Sequence, residues 1–503
     1  MRAELKHREV LAMYDVRGIQ AYIFKSNVAK EIVGASELVR QIITEGLDAY
    51  IKTLPCEKSK NYMTEWRDDD PEAFLKDSSI EMQIMFIGGG NAYVLFRRGE
   101  ECQKVNKFLA EYILRRTYSL SLAVAVVKKT ENYSDDYNAI NEEMRRIKAS
   151  MPLSMSMGAM PFMAVDSVTG YPLTEKTREE YLCTEAKLKR DSFPETEDEK
   201  IFDNMVTEKG DSSTLAVFHI DGNSMGKKIK DKMQKIHTYG DAVRTMRTLS
   251  IDISDTFLET VGETKQYIDS IAPRVKKDTS HKLYREIIAA GDDITFVCNA
   301  KVAIPAVEFF LRHISDSGEF SACGGIAFFN SHFPFSDAYK VAEESCSMAK
   351  ARAKEKENRG AEDKIGNFLD FQICTNINAS DLKSYRARHY QTEGELFLAR
   401  PYYVDTSNNE VLNQKNEKYN INRLHYWENY FAKMPRNKAK QLREVIPMGK
   451  NEIRRKLSFF RSRGYQEFKN IDEYKVWYDA LEIMDWHIKE EEKKNENNDR
   501  TSE

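Results

Sequence analysis

Apolar positions recur along the chain in two rhythms, and the order of those rhythms repeats. Val10-Leu-Ala-Met-Tyr-Asp-Val-Arg-Gly-Ile19 reads as an apolar strand that ends on Asp15 and turns at Gly18. Thr214-Leu-Ala-Val-Phe-His-Ile-Asp-Gly-Asn-Ser-Met-Gly226 follows the same plan, with Asp221 at the strand end. Helical periods follow. Met225, Ile229, Met233 and Ile236 recur three or four residues apart, with lysines on the other face, and Leu249, Ile253, Phe257 and Val261 mark a second helix. Each half then has two β-rich runs split by a glycine turn, at Met82–Phe96 and Glu286–Cys298. Asp15 to Gly90 spans 75 residues and Asp221 to Asp292 spans 71. A further strand follows in each half, at 120–127 and 321–329, and a long helix closes each, near 134–149 and 335–356.

The pattern predicts an α+β chain built from two βααββαβ units with antiparallel, ferredoxin-like sheets. The first unit covers 1–150 and the second 213–378. Residues 151–212 read as a linker with a small insert, opened by Met151-Pro-Leu-Ser-Met-Ser-Met157 and carrying the acidic stretch Glu195–Glu199. From 379 to 503 the pattern is helical and charged, and the polar end after Lys489 predicts disorder.

Length agrees with this division: 503 residues at roughly 150 per domain give about three domains. No apolar run approaches the roughly 18–20 residues that span a bilayer, and the charged N-terminal stretch has no signal core, so a cytoplasmic protein is expected. The net charge of −4 argues against a general polybasic coat for nucleic acid, while leaving room for local phosphate sites. The seven cysteines form no C-x-x-C pair, so neither a disulfide framework nor a four-thiolate zinc site is expected. The nine histidines include no H-E-x-x-H and no His-Asp pair.

Candidate chemistry sits in the second unit. Asp221 ends a strand, and Asp292 and Asp293 occupy a hairpin tip that lies beside it. Carboxylates brought together repel one another and take up protons unless a cation is present. A hard divalent ion such as Mg2+ or Mn2+ takes oxygen ligands and shares its shell with substrate phosphates. Gly291, just before the acids, suits a tip approached closely by a nucleotide. The plainer reading makes Asp-Asp a turn dipeptide and Asp221 a helix cap. Lys350 follows the small apolar face of the last helix and points back over the sheet, with Lys354 one turn on; the plainer reading makes both a solvated helix end. In the first unit the hairpin tip is Gly88-Gly-Gly-Asn91, without acids, which predicts a unit that does no catalysis.

These residues resemble the palm polymerase/cyclase family of CRISPR type III large subunits (Cas ten), and more distantly the GGDEF cyclases. Asp15-Val-Arg-Gly-Ile-Gln-Ala-Tyr-Ile-Phe24 and Gly34-Ala-Ser36 are similar to the family's first palm. Asp221-Gly-Asn-Ser-Met-Gly226, Ala290-Gly-Asp-Asp293 and Ala349-Lys350 are similar to its second, and Leu398-Ala-Arg-Pro-Tyr402 to a segment just beyond it. Asn223 and Ala290 depart from the family's Asp and Gly, the inter-palm cysteine pairs are missing, and no His-Asp nuclease motif is present. The resemblance implies synthesis of cyclic oligoadenylate-type messengers from ATP in antiviral defence. It implies that Asp221, Asp292 and Asp293 hold two metal ions, with the Gly222 carbonyl as a further ligand. Lys350 would hold the β/γ-phosphates, and Gly226 and Gly291 would make space. Implied partners are nucleoside triphosphates, with guide or target RNA and CRISPR-type subunits, or a downstream effector for a stand-alone enzyme. Two alternatives stand beside this one: a catalytically weakened scaffold or nucleotide sensor, and a GTP-using dinucleotide cyclase.

Overall fold

In the computed structural model the described residues are 3–88, 90–151, 160–178, 180–198, 200–206, 213–276, 280–316, 319–360, 364–374, 381–407, 409–465, 468 and 471–488. The expected disordered end and most of the Met/Ser-rich opening of the linker lie outside them.

Two sheets organise the chain. The first is built from β1 (Val10–Arg17), β2 (Tyr62–Met63), β3 (Met82–Gly88), β4 (Asn91–Phe96) and β5 (Ser121–Lys128), in the order β2-β3-β4-β1-β5. Alternate residues of β1 enter different cores, as a two-residue repeat requires. Val10, Ala12 and Tyr14 pack with helices α1 (Ile19–Ile23), α2 (Ala29–Arg40), α3 (Ile42–Lys52) and α4 (Gly99–Thr117). Leu11 faces α5 (Tyr133–Ser150). The insert is more ordered than a linker: β6 (Leu173–Lys176) and β7 (Tyr181–Cys183) form a small hairpin, and α6 (Thr184–Asp191) packs on α2. A Cβ on Gly34 would lie 1.8 Å from the Lys189 carbonyl oxygen, so only glycine lets these two helices approach. Cys183 is buried and its Sγ accepts from the Ala186 N–H, a helix-capping role that uses no metal.

The second sheet contains β8 (Thr214–Gly222), β9 (Tyr284–Ala290), β10 (Asp293–Asn299), β11 (Ala322–Asn330), β12 (Asn367–Cys374) and β13 (Tyr402–Val404). β8 lies between β10 and β11 and is buried along nearly its whole length, which explains its continuous apolar run. Pairing is mainly antiparallel, as expected, but β11–β12 and β2–β3 are parallel. The sheet also runs past the boundary expected at 378, because the buried Tyr402–Val404 pairs with β12. Three residues are too few to register as a strand period.

The helices after β8 are α7 (Met225–Met233) and α8 (Tyr239–Val275), the second far longer than its apolar signal. Thr238 caps its start through the Asp241 N–H, and no proline interrupts it before Pro273. α8 spans both units. Ala242, Val243 and Met246 cover the first sheet, and Phe257, Val261 and Ile268 pack in the second core beside α9 (Ala300–Ile314). α10 (Phe335–Ala353) covers the other face of the second sheet. There Phe24 stacks on Tyr339 with ring centroids 3.8 Å apart, so the two units share one apolar core. The rest of the chain adds α11 (Leu382–His389), α12 (Ile421–Lys433), α13 (Arg436–Val445), α14 (Lys450–Ser462) and α15 (Tyr474–Ile483).

Candidate active site

The site forms where β8 meets the β9–β10 hairpin. Asp221, near the end of β8, is in register with Asp293, the first residue of β10. Gly291 and Asp292 make the two-residue loop between Ala290 and Asp293, and Gly291 takes φ +64, which favours glycine. Asp292 folds over Gly222. The Gly222 N–H donates to the Asp292 carbonyl at 3.3 Å, and a Cβ on Gly222 would lie 2.9 Å from Asp292 Oδ2. Gly222 is therefore required by the packing of the acid itself. Gly226, in the first turn of α7, faces open space.

Burial and the negative Asp221 together push both Asp292 and Asp293 up to about 6. A hydrogen bond from Gln20 Nε2 to Asp293 Oδ2, 2.8 Å, works in the opposite direction on Asp293. The other oxygen of Asp293, Oδ1, is buried with no hydrogen-bond partner among the described residues. It lies 3.4 Å from Nδ1 of His219, which burial keeps toward its neutral form and which meets Thr295 Oγ1 at 3.1 Å.

Lys350 supplies the positive charge. Its Nζ pairs with Asp221 and donates to the Gly222 carbonyl at 3.1 Å. Lys354 is not brought to the site: it caps α10, exposed, and no contact among the described residues joins it to the aspartates. Four residues along a helix carry it about 6 Å beyond Lys350.

Among the described residues no group of three or more His, Cys, Asp or Glu side chains is arranged ready to hold a metal ion. The donor chemistry nevertheless fits a hard cation. A carboxylate and a carbonyl oxygen already grip an ammonium, two further carboxyls are raised toward the protonated form by burial and by Asp221, and one of their oxygens lacks a donor.

Four neighbours of the site escaped the sequence reading. Gln20 comes from α1 of the other unit. His219 sits inside β8. Tyr339 and Glu343 precede Lys350 on α10, where burial raises Glu343 toward its protonated form beside His219 and Asp293. Gln20 lies within a stretch the resemblance quotes, and spacings of four and seven residues place Tyr339, Glu343 and Lys350 on one stripe of α10; these were the available signals.

Asn223 turns away from the acids. Its Nδ2 donates to Ser321 Oγ at 3.1 Å and to the Gly366 carbonyl at 3.2 Å, tying the end of β8 to the neighbouring strands. An aspartate here has no donor for that carbonyl. Asn223→Asp is expected to destabilise the fold by about 1–3 kcal/mol, measured by the chemical-denaturation midpoint; an unchanged midpoint would show that the amide is not holding the strand end.

The first unit repeats the ion pair without the acids. Lys148 pairs with Asp15, and each lysine stands sixteenth in its helix, α5 and α10. The hairpin opposite Asp15 contributes Asn91 instead of an aspartate.

Residues 214–361 match the family model described as Cas10/Cmr2, second palm domain. The second unit is thus similar to a Cas10/Cmr2 palm domain. Similar solved structures agree with the Cas10-like fold. A chain of the Csm1-Csm4 cassette in complex with cA4 is 13% identical at TM-score 0.54, covering 96% of this chain and 70% of that one. The Csm1-Csm4 subcomplex of the type III-A CRISPR-Csm interference complex gives 12% and 0.52, with 97% and 71% covered. The cassette with one ATP gives 14% and 0.51, with 96% and 70% covered. No curated protein matches the chain. No described helix is long and apolar enough to cross a membrane.

Proposed function

We propose that this chain is a nucleotidyltransferase that makes cyclic oligoadenylate-type messengers from ATP within a type III CRISPR-type defence complex. The observation that carries the reading is the meeting of Asp221, Asp292 and Asp293 at one sheet end, gripped by Lys350. Support also comes from the palm-family match and from the nucleotides named in the similar structures. In this reading residues 1–150 form a non-catalytic first palm, 151–212 an insert, 213–378 the catalytic palm and 379–503 a helical domain.

Asp221, Asp292 and Asp293, with the Gly222 carbonyl, would hold Mg2+ or Mn2+. The bound ions would polarise the reacting phosphate and help ionise the attacking hydroxyl. A bound cation would relieve the repulsion that raises Asp292 and Asp293. Lys350 leaves Asp221 and meets the β/γ-phosphates, and Gly226 and Gly291 leave room for the nucleotide. Gln20 holds Asp293 from the other palm. The 3′-hydroxyl of one nucleotide would give its proton to solvent as its oxygen bonds to the α-phosphorus of the next, the bond to the β-phosphate oxygen breaks, and pyrophosphate leaves.

One observation favours a second reading, a weakened scaffold or nucleotide sensor. Lys350 already neutralises Asp221, and Asn223 is committed to the fold. Incubation with each nucleoside triphosphate and Mg2+ or Mn2+, with and without candidate activating RNA, separates the two by mass spectrometry of the products. Cyclic adenylates establish the enzyme. Nucleotide binding without product under every condition establishes the sensor.

A further inference from the structure

The net charge of −4 hides a strong local imbalance. Residues 433–463 contain eleven lysines and arginines against two glutamates. This stretch is α13, α14 and their connections. Leu442 and Ile446 on one side, and Ile453, Leu457 and Phe460 on the other, are buried and fix the inner faces, so the cations point outward. Arg436 and Arg455 meet Asp485 and Glu452, at 2.7 and 2.6 Å, and Lys450 meets Glu395 at 3.3 Å. Lys440, Arg443, Arg454, Arg461 and Arg463 are exposed and have no acidic partner among the described residues.

Phe459 stands among these cations and is 41% exposed. Lys438, Lys456 and Arg463 reach over its ring, at 5.2, 5.5 and 5.4 Å from the centroid. The core does not need this ring, because Phe460 beside it is fully buried. Along α14, Arg455, Lys456, Ser462 and Arg463 stand three or four residues from Phe459, on its face of the helix. An open aromatic ring flanked by unneutralised cations stacks a base and takes the phosphates on either side. A duplex hides its base faces, so the ring selects a single strand.

The hydroxyls add a preference. Ser458 Oγ donates to the Arg454 carbonyl at 3.0 Å and Ser462 Oγ to the Phe459 carbonyl at 2.7 Å, which commits both hydrogens inward. Ser458 Oγ also accepts from Arg461 at 3.4 Å, so the lone pairs of Ser462 are the ones left to accept, and a ribose 2′-hydroxyl donates where deoxyribose has nothing to give.

We propose that the α13–α14 face is a binding surface for single-stranded RNA, with one base on Phe459 and the adjoining phosphates on Lys438, Lys456 and Arg463. The proposal uses none of the aspartate site, and its test needs no nucleoside triphosphate.

Fluorescence anisotropy of a labelled oligouridylate with the full chain tests it. Binding is expected to weaken steeply between about 50 and 200 mM salt. Phe459→Ala is expected to lower affinity by about five-fold or more with the melting temperature unchanged, and Phe459→Tyr to retain it. Lys438→Glu with Arg463→Glu is expected to flatten the slope of log affinity against log salt by about 0.7 per lost phosphate contact. Absence of RNA binding at about 50 mM salt, or affinity indifferent to Phe459→Ala, overturns the proposal. So does equal affinity for oligothymidylate, which removes the preference for ribose. Displacement of RNA by polyglutamate at matched charge overturns it in favour of an acidic protein partner.

Discussion

Asp292→Asn and Asp293→Asn are expected to make the metal-free protein more stable while abolishing product. Both acids are raised to about 6 from 3.8 because they are half-buried beside Asp221. A carboxyl whose folded value is raised opposes folding once it is ionised. Its penalty is complete above about pH 6 and fades as pH falls from 6 toward 4, where the folded state holds more protons than the unfolded one. After solvent screening this amounts to the order of 1–2 kcal/mol per acid at pH 7. Each amide should therefore raise the melting temperature at pH 7 and lose that advantage near pH 4. Mg2+ should stabilise the unsubstituted protein and leave Asp292→Asn/Asp293→Asn unmoved, because binding to the folded state alone shifts the folding equilibrium. Losing the ion's several kcal/mol of charge stabilisation should lower product formation by about 100- to 1,000-fold or more. Thermal melts across pH with and without Mg2+, paired with product assays, separate the two effects. Undiminished product from the double variant would remove these acids from the chemistry. Variants less stable than the parent at pH 7 would remove the electrostatic account.

The same residues mark what the sequence discloses. Asp221, Gly222, Gly291, Asp292 and Asp293 were legible because strand, turn and helix rhythms are local, and two short motifs at matching spacing locate the meeting of two strand ends. Lys350 was legible from its place on a helix face. Lys354 was not separable from it, because the sequence carries residue order but not the length of sheet beneath the helix. Gln20 reaches Asp293 across 273 positions, and no period links them. Asn223 read as a lost acid, yet its amide serves the strand junction, a role visible only when Gly366 is placed beside it. The repeat was readable as two units, but the Asp15–Lys148 pair that completes it emerged only once both lysines stood at the same place in α5 and α10. The parallel β11–β12 pairing and the three-residue β13 depend on long-range contacts for the same reason.

Arg400→Ala is expected to be the most damaging single substitution outside the aspartate site. Leu398-Ala-Arg-Pro-Tyr402 stood out in the sequence only as a family-like segment, and the fold gives it a physical task. Arg400 is fully buried. It pairs with Asp479 at 3.0 Å and Glu482 at 2.6 Å on α15, and reaches Gln372 on β12 at 3.3 Å. Asp479 also accepts from the Ala399 and Arg400 N–H groups and from the Tyr402 hydroxyl, at 3.0, 2.9 and 2.7 Å. Gln372 accepts in turn from Arg386, whose guanidinium forks onto Asp370 at 2.8 and 3.0 Å. The helical region is thereby fastened to the edge of the sheet by charges with no access to water. Removing the guanidinium leaves Asp479 buried and unpaired, which costs about 3–5 kcal/mol. The loss should appear as a lower denaturation midpoint and as early hydrogen exchange in α15. Asp479→Leu added to Arg400→Met should recover part of it, because the unpaired charge of Asp479 is removed while its three other donors lose their acceptor. Recovery would show that uncompensated charge, and not lost packing, drives the damage. A double variant as weak as Arg400→Ala would show instead that the hydrogen bonds to Asp479 hold the helix on the sheet.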